Sequence, residues 1–362
     1  MHRTTRNTAV VIATLATVAT TAAPSFGAGT TATRAGSTQP PSTSSPAAAA
    51  AGFLARQLQG KHHDHYTLTF GSTVYVNYGE TADAILSMDA AGVAQDAAHR
   101  ATAYLAKHVT RYVGASPTDY PGPLAKLILV AIAQHRHPRS FGGLDLIAAL
   151  EQTEGAGDAA PGEYQQNPGF PGGTSYVVSQ ALGVLALAIA PQAPDQPDAA
   201  AVSFLAGQQC GDGRFSSTIR IDTQAACDPG DVDSTAYAAQ ALLAAGDKTA
   251  ADKALDWLRH NRNSDGGYGS PSNGNSTALA VQALVAGHYS VNRPMRWLRT
   301  HQIGCAGKRS RRGAVVFEKK YDGSALLATS QAGAALARKP LAWIDRAGAR
   351  HAAPVLACGS GK

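Results

Sequence analysis

Two kinds of helical pattern alternate along most of this chain. In one kind, apolar residues recur at helical spacing between polar positions, which predicts a helix with one buried face. In the other, alanine and leucine fill most positions, which predicts a helix buried on most faces. The alanine-rich segments are residues 82–91, 124–133, 176–190, 236–245, 278–286 and 326–337. The polar-faced segments carry the pairs Phe53-Leu54, Tyr104-Leu105, Leu146-Ile147, Phe204-Leu205, Trp257-Leu258 and Trp297-Leu298.

Each buried helix follows a polar-faced helix and a turn, so one structural unit recurs about every 40 to 60 residues. Helical pairs of this length either stack as an open solenoid or close into a ring. An open solenoid needs polar helices at its two ends. Here the first and last buried helices are as alanine-rich as the others, which favours closure. We therefore predict an all-α protein, an α/α toroid of six helical hairpins with inner and outer rings.

Two local signals refine this prediction. Residues 66–70 and 74–78 are rich in β-branched and aromatic residues and flank a Gly-Ser-Thr turn, which predicts a short β-hairpin near the N-terminus. Gly92, Gly246 and Gly287 directly follow buried helices. Because glycine at this position commonly ends a helix in the left-handed conformation, we expect three inner helices to end there.

The two ends of the chain differ in composition from the repeats. Residues 1–28 combine a basic start, an apolar run and small residues, the pattern of a secretory signal peptide. Residues 29–50 are rich in Thr, Ser, Pro and Ala and predict a disordered linker. The toroid is expected over residues 51–340, with a C-terminal tail over 341–362. Since no segment is long and apolar enough to span a membrane, we expect a secreted, extracellular protein without a transmembrane segment.

The four cysteines, Cys210, Cys227, Cys305 and Cys358, permit three disulfide pairings. An even number of cysteines in an exported chain favours disulfides. Cys210 and Cys227 flank one loop, so a bridge between them is the natural local pairing, and it contributes roughly 3 kcal/mol in the chain-entropy model. Cys305 and Cys358 would then tie the tail to the last repeat. A cysteine metal site is the alternative, but no C-x-x-C pair occurs, and we expect neither metal nor cofactor.

The chain has a formal charge of +6, and the position of its basic residues bears on whether it binds nucleic acid. Part of it lies in the N-terminal segment and part in the basic run 308–312 (KRSRR). Such a run is typical of a solvated loop. Because these basic residues have no aromatic platform beside them, we expect no nucleic-acid partner.

The repeat itself resembles a known one. Segments 204–209 (FLAGQQ), 212–215 (DGRF), 257–258 (WL) and 265–269 (DGGYG) are similar to the repeat of the prenyltransferase and squalene-cyclase superfamily. The resemblance covers about residues 50–340. It implies an α/α toroid with a central cavity open at one end, and it says more about fold than about function. Within the superfamily, the chain looks most like exported prenyltransferase-repeat proteins of actinobacteria, and more distantly like the toroids of intrinsic factor and transcobalamin.

In this fold the start of each inner helix faces the mouth of the cavity. Free backbone N–H groups and helix dipoles converge there and favour polar or anionic ligands. Asp, Ser, Thr and Asn are also the preferred helix caps, so capping is the competing explanation for such residues. Tyrosine suits the cavity wall because it is amphipathic. The predicted ligand-binding residues are Tyr78, Glu80, Tyr120, Tyr176, Ser234, Thr235, Tyr237, Asn275, Ser276 and Tyr321.

One of these helix starts carries a chemical motif. Residues 231–236 (DVDSTA) resemble the Asp-x-Asp-Asp-Thr-Ala motif of class II terpene cyclases, in which the middle carboxyl group donates a proton to an alkene or epoxide. Asp233 matches that general acid, with Asp231 beside it, and such an acid needs a desolvated carboxyl group. Ser234 replaces the last aspartate, which departs from the family's pattern. Known cyclases of this class generally add a second helical domain, and export separates the chain from diphosphate substrates.

A zinc site is a weaker hypothesis. Protein prenyltransferases place Asp-x-Cys at this helix start, and Asp233 stands where that cysteine should be. Residues 62–65 (HHDH) have a metal-ligating composition but lack helical spacing, so we expect an exposed polar loop there.

The preferred function is binding. We expect a secreted, non-catalytic toroid that holds a small molecule, for example a corrinoid, or a peptide-like partner in its central cavity. The related carriers clamp their ligand against a β domain, which here a separate partner protein would supply. One alternative is a cyclase-like enzyme that uses Asp233 as its acid. The other is a structural cell-surface interaction module whose centre is filled by side chains. An apolar cavity with a carboxyl group favours the enzyme, whereas a polar mouth lined by tyrosine favours binding.

Overall fold

The structure is a computed structural model that describes residues 40–114, 120–155, 159–165, 175–191, 197–220, 227 and 230–359. The expected signal peptide and residues 29–39 of the expected linker lie outside these ranges. In chain order the helices are α1 (Pro46–Gln57), α2 (Tyr78–Ala91), α3 (Gln95–Lys107), α4 (Val109–Val113), α5 (Pro121–Ala133), α6 (Leu146–Glu151), α7 (Val177–Ile189), α8 (Ala199–Gly207), α9 (Val232–Ala245), α10 (Lys248–His260), α11 (Gly274–Ala286), α12 (Asn292–Thr300) and α13 (Ala325–Leu336). The strands are β1 (Ser42–Thr43), β2 (Tyr66–Phe70), β3 (Thr73–Asn77) and β4 (Val355–Leu356).

The alanine-rich helices form a closed inner ring. Helices α2, α5, α7, α9, α11 and α13 pack in this order, and α13 packs back against α2. The outer helices α1, α3, α6, α8, α10 and α12 each pack on one or two inner helices. The inner helices are buried through their middle turns, where small alanine side chains allow neighbouring helices to approach closely. The predicted α/α toroid of six helical hairpins is confirmed.

A recurring hydrogen bond explains the glycine-aromatic motif of the repeat. In five inner helices, a buried side chain near the start accepts the backbone N–H of a residue in the preceding loop. These pairs are Thr81 with Tyr66, Gln180 with Tyr164, Thr235 with Phe215, Thr277 with Tyr268 and Thr329 with Val315, at 2.8–3.0 Å. Four of the five loop residues are aromatic and at most 1% exposed. The bond therefore anchors each segment to the helix that follows it, and in four of the five cases it also holds a buried aromatic side chain.

Two of the three predicted glycine helix ends are correct. Gly92 (φ 63°) and Gly246 (φ 86°) follow α2 and α9 in the left-handed conformation. The prediction for Gly287 is wrong, since its φ is −81° and His288 takes the left-handed conformation instead (φ 61°). A Cβ atom at Gly287 would lie 2.5 Å from Leu255 Cδ1 of α10. Glycine is therefore used there for close helix packing.

The predicted β-hairpin is confirmed, with a shift at its end. Strands β2 and β3 pair antiparallel, with Leu68 opposite Tyr75. The second strand ends at Asn77 rather than at Tyr78, because the Asn77 side chain accepts the Glu80 N–H and caps α2. The hairpin carries the exposed apolar side chains Leu68, Phe70, Val74 and Tyr75.

Helix α1 begins at Pro46, inside the segment expected to be a linker. The Ser45 side chain caps it by accepting the Ala48 N–H at 3.3 Å. The alanines at 47–51 are buried, so this run belongs to the packed domain. Burial against neighbouring helices thus overrides the disorder that the composition suggested.

The segment after α13 crosses the C-terminal ends of the inner helices. Its backbone N–H groups at Leu341 and Arg350 donate to Gln240 Oε1 and to the Gly92 carbonyl, each at 3.0 Å. Strand β4 then pairs in parallel with β1, with Val355 beside Ser42. The segment expected to be a tail is therefore packed against one end of the ring.

Both expected disulfides are present. Cys210 and Cys227 are bridged with their Cα atoms 6.1 Å apart, and Cys305 and Cys358 are bridged at 5.6 Å. The second bridge ties the C-terminal segment to the loop after α12. In the described part of the chain, no helix is both long and apolar enough to cross a bilayer.

Candidate functional site

The first two turns of the inner helices lie at the end of the ring away from the C-terminal segment, and we call this end the mouth. In α2 and α5, one residue of the second helical turn is still partly exposed, Asp83 in α2 and Lys126 in α5. In α9, Val232 and Asp233 are also partly exposed. The middle turns of the same helices are buried. A ligand that reached the inner ring from this end would therefore meet these first-turn residues.

Asp231 and Asp233 play different roles at the start of α9. Asp231 is the helix cap, and its Oδ1 accepts the Ser234 N–H at 2.6 Å. Asp233 is the second residue of the helix, and its Oδ2 accepts from Asn275 Nδ2 of α11 at 2.5 Å. Capping therefore explains Asp231 but leaves Asp233 unexplained.

Asp233 has the surroundings of a carboxyl group that can hold a proton. Burial raises the pKa of Asp233 to about 6, and the nearby charge of Asp231 acts in the same direction. The neighbouring polar side chains of Ser276 and Asn275 oppose this rise in pKa. Near neutral pH the carboxyl group is consequently ionised but close to its titration range.

Three buried polar atoms around Asp233 have no hydrogen-bond partner among the described residues. They are Asp233 Oδ1, Ser234 Oγ and Asn275 Oδ1. Two of the three can only accept a hydrogen bond at neutral pH. Because buried polar atoms are normally paired, these atoms indicate a place for a molecule that donates hydrogen bonds. We call Asp233, Ser234, Asn275 and Ser276 the Asp233 cluster.

A partly exposed ion pair lies in the second turns of α2 and α5. Lys126 Nζ is 2.8 Å from Asp83 Oδ1, and both side chains are less than one fifth exposed, at 16% and 12%. Burial disfavours the charged form of Lys126, but the Asp83 carboxylate outweighs this and raises the pKa of Lys126. Burial raises the pKa of Tyr112 to about 12 beside this pair. The interior of the mouth is therefore polar.

Tyr237 connects the two groups of residues. Its side chain is buried, and burial raises its pKa, with Lys126 acting in the opposite direction and Asp83 and Asp233 in the same direction. Electrostatic influence from both carboxyl groups shows that Tyr237 lies in the neighbourhood of each. The Asp233 cluster and the ion pair thus belong to one polar region.

Sequence reasoning missed Asp83, Lys126 and Tyr112. A signal for Lys126 existed, because it is the only charged residue in the otherwise apolar helix α5. Lysine is almost never buried without a partner, so this residue implied a carboxylate on a neighbouring helix. The identity of that partner depends on which helices are neighbours in the ring.

The other predicted residues fall into different surroundings. Tyr78 stacks on Tyr112 at 5.6 Å between ring centroids. Burial raises the pKa of Glu80 beside them. The Thr235 hydroxyl accepts from the Phe215 N–H and donates to the Asp231 carbonyl, so it serves the backbone.

The three remaining tyrosines lie in other contacts. Tyr120 is half-buried directly before α5, and Tyr176 is 45% exposed directly before α7. Tyr321 packs edge-on against Phe53 of α1 and lies beneath the Arg311 guanidinium at 4.3 Å. No hydrogen bond among the described residues joins these three side chains to the Asp233 cluster.

In the histidine-rich segment, residues 62–65, His65 contacts neighbouring side chains of the fold. His65 Nδ1 is 2.7 Å from Asp64 Oδ1, and the His65 ring stacks on Tyr104 at 4.1 Å. Among the described residues, no group of three or more His, Cys, Asp or Glu side chains converges to hold a metal ion.

Comparisons with solved structures show that the chain has an α/α-toroid, terpenoid cyclase-like fold. A substrate complex of the type II terpene cyclase MstE from Scytonema has a TM-score of 0.54 and 14% identity, covering 81% of this chain and 95% of that one. The unsaturated glucuronyl hydrolase from Bacillus sp. GL1, which degrades glycosaminoglycan, gives 0.56 and 13%, again with 81% and 95% coverage. At such identities the likeness concerns the fold alone.

A longer enzyme matches over part of its length. The ent-copalyl diphosphate synthase from Streptomyces platensis has a TM-score of 0.50 and 17% identity, covering 72% of this chain and 50% of that one. This chain therefore spans half the length of that enzyme. The family model of the A-macroglobulin TED domain matches residues 220–287, which include α9, α10 and α11. No curated protein matches the chain by sequence.

Proposed function

We propose that the toroid binds a small, polar molecule in its mouth, and that this molecule carries hydroxyl or amino groups. The observation that carries the proposal is the set of buried, unpaired atoms in the Asp233 cluster. Asp233 Oδ1 and Asn275 Oδ1 lack donors, and Ser234 Oγ lacks any partner among the described residues. A ligand with several O–H or N–H groups supplies those donors and avoids the cost of unpaired buried acceptors.

The charged groups of the mouth indicate which charge the ligand can carry. Glu80, Asp83, Asp231 and Asp233 contribute carboxyl groups, whereas Lys126 contributes one ammonium group that is already paired with Asp83. This excess of acid disfavours an anionic ligand, although helix N-termini on their own favour one. The proposed ligand class is therefore neutral polyhydroxylated or amine-bearing molecules. A corrinoid fits this chemistry only through its amide side chains.

The same polarity weakens the two alternative functions. A cationic cyclisation needs walls that do not capture the carbocation, and the Asp83 carboxylate lies in the same region as Asp233. A purely structural module would have a centre filled by apolar side chains. The partial exposure of Asp83, Lys126 and Asp233 argues for an accessible mouth instead. We also propose that the protein is secreted. The N-terminal sequence pattern suggests this, and the two disulfides are compatible with it.

Catalysis by Asp233 is the second candidate, because burial raises the pKa of Asp233 to about 6. Two objections from the sequence become weaker. This chain covers 95% of MstE from Scytonema, so a second helical domain is not required of a type II terpene cyclase. The substrate in that complex is geranylgeranyl dihydroxybenzoate, which carries no diphosphate. In this reading, protonated Asp233 would transfer its proton to an alkene carbon of a polyprenyl chain.

The test combines a ligand panel with a single carboxyl change. Neutral disaccharides, glucosamine, glucuronic acid and geranylgeranyl dihydroxybenzoate are titrated into the protein by calorimetry and by thermal shift. We expect binding of the neutral or amine-bearing sugars and none of the uronate. Asp233→Asn should raise the Kd by about three- to tenfold, because one acceptor becomes a donor. Asp247→Asn is the matched control, since Asp247 caps the outer helix α10.

The pH dependence gives an independent readout. As pH falls through about 6, Asp233 takes up a proton, and its attraction for an ammonium group is lost. Affinity for glucosamine should therefore decrease below this pH in the wild type and stay flatter in Asp233→Asn. A cyclised product from geranylgeranyl dihydroxybenzoate with wild type, absent with Asp233→Asn, would establish the enzyme and refute the binding proposal.

A further inference from the structure

A basic groove lies on the outer wall of the toroid, between the end of α10 and the start of α12. Its volume is about 500 Å³, and its lining includes Arg259, His260, Arg262, Tyr289, Asn292 and Arg293. None of the described lining residues is acidic. The groove is formed by outer helices, their loops and Leu284 near the C-terminal end of the inner helix α11, so it is separate from the mouth.

The three arginines of the groove differ in their partners. Arg259 is 2.7 Å from Asp256 and lies over the Tyr289 ring at 4.6 Å, so its guanidinium is held in place. Arg262 and Arg293 form no ion pair with any described residue. Arg262 Nε is buried and has no acceptor among the described residues. The Arg262 side chain as a whole is partly exposed, and its unpaired, cationic Nε–H group favours a negatively charged oxygen atom at this position.

The surroundings of Arg262 reinforce this conclusion. Its guanidinium lies beside the Tyr268 hydroxyl, which is itself buried. On the opposite side, α12 begins without a side-chain cap, which leaves the backbone N–H groups of Asn292 and Arg293 available near the groove. Donors from the loop after α10 and from the start of α12 therefore line the same groove.

We infer that this groove binds an oxyanion group, such as a phosphate or sulfate ester, between Arg262 and Arg293. The planar guanidinium donates two parallel hydrogen bonds to such a group, and this geometry suits tetrahedral oxyanions. The Asp256 carboxylate opposes an anion, but it is already neutralised by Arg259. The bound group links α10 to α12, so it stabilises two successive outer helices.

The test uses inorganic phosphate and sulfate at constant ionic strength, maintained with sodium chloride. Arg293→Gln removes one donor set from the groove. Arg296→Gln is the matched control, because Arg296 is exposed on the same helix and is absent from the lining of the groove. By calorimetry, we expect Arg293→Gln to raise the Kd at least about fivefold and Arg296→Gln less than about twofold. Arg262→Gln should abolish binding.

Each outcome decides the proposal. Equal losses of affinity in Arg293→Gln and Arg296→Gln would show that only the overall charge of the protein matters. That result would overturn the proposal. No binding of either ion up to about 20 mM at constant ionic strength would also overturn it. The source of the group is resolved by sedimentation with vesicles of phosphatidylglycerol or of phosphatidylcholine. Arg293-dependent binding to the anionic vesicles alone identifies a lipid phosphate, whereas binding of soluble ions without vesicle binding identifies a free phosphate or sulfate ester.

Discussion

Asp231 and Asp233 lie on the same helical turn but point to different neighbours. Asp231 faces the backbone of its own helix and satisfies the Ser234 N–H. Asp233 faces the next inner helix, where Asn275 donates to it. One carboxyl group therefore stabilises α9, and the other forms part of a polar region shared by two helices. Because Asp231 and not Asp233 caps α9, Asp233→Asn leaves the helix cap intact. The substitution therefore tests the polar region without disturbing the start of the helix.

Gly246 tests whether the left-handed helix end contributes to stability. Its φ of 86° is costly for any residue with a Cβ atom, although nothing lies within 4 Å of that position. Gly246→Ala should therefore lower the free energy of unfolding by about 1 kcal/mol. Gly207→Ala is the control, because Gly207 ends α8 without left-handed geometry and also has open space around it. There alanine should be neutral or stabilising by up to about 1 kcal/mol in a denaturant titration.

Equal effects of the two glycine substitutions would contradict this explanation. At this scale, sequence reasoning identified the Gly246 helix end correctly, because local spacing carries that information, whereas the role of Asp233 stays a prediction. It misplaced the helix end at Gly287, where glycine allows Leu255 to approach. It also missed the pairing of Asp83 with Lys126. Both of these depend on residues distant in sequence, which no local pattern encodes.

At the scale of elements, the repeated unit is a loop anchored to the start of its inner helix. Thr277 accepts the Tyr268 N–H at 2.9 Å and is fully buried. The equivalent bond, which the Tyr164 N–H donates to Gln180 Oε1, shows that a longer side chain serves the same purpose. The need for a buried acceptor, rather than for threonine itself, thus explains the pattern.

Removing one anchor should destabilise the protein measurably. Thr277→Val keeps the shape but leaves the buried Tyr268 N–H without an acceptor, which should cost about 1–3 kcal/mol of unfolding free energy. Thr300→Val is the control, because Thr300 is exposed at the end of α12 and its hydroxyl contacts only its near neighbours in sequence, the Trp297 carbonyl and His301 Nδ1. There we expect a change within about 0.5 kcal/mol. Similar losses in both variants, measured by chemical denaturation, would argue against the anchor.

The helices themselves could be predicted well from the sequence. Each inner helix lies within about four residues of its expected start, because alanine and leucine fill the buried positions. The missed turns are the first ones, such as residues 78–81 of α2, where polar residues face the mouth. The polar residues at a helix start do not show the helical spacing of apolar residues from which a helix is predicted. Whether they are helical depends on the capping residue before them.

At the scale of the whole molecule, a buried carboxyl group joins the ring to the C-terminal segment. Asp89 Oδ1 of α2 accepts from Gln95 and Gln134, and Arg346 Nε donates to the Gln134 carbonyl at 3.0 Å. Asp89 is 2% exposed, and burial raises its pKa to about 6, against the effect of these hydrogen bonds. Ionisation of Asp89 therefore costs stability where three parts of the fold meet.

This cost predicts a pH dependence with a definite sign. Below about pH 3, Asp89 is protonated in both the folded and the unfolded state and contributes little to the pH dependence. Between about 4 and 6 the folded state binds more protons than the unfolded state, so stability decreases as pH rises. Asp89→Asn removes this loss and should be more stable than wild type above pH 6, by up to about 3 kcal/mol. The advantage should be small at pH 4 and vanish below about pH 3.

Thermal unfolding of both proteins across this pH range provides the measurement, and Asp247→Asn serves again as a control for the chemical change. An advantage of Asp89→Asn that is the same at pH 4 and pH 7 would show that ionisation of Asp89 is not the cause.

The pairing of β1 with β4 has a consequence for folding kinetics. These strands come from opposite ends of the described chain, so they form one of its most non-local contacts, and such contacts make folding slow. The entropy of closing a long loop grows only with the logarithm of its length, so the free-energy cost of closure is modest. Once closed, the ring has no terminal repeat that can fray, since every inner helix has a neighbour on each side. Slow closure thus produces a molecule whose unfolding must begin by breaking an interface inside the ring.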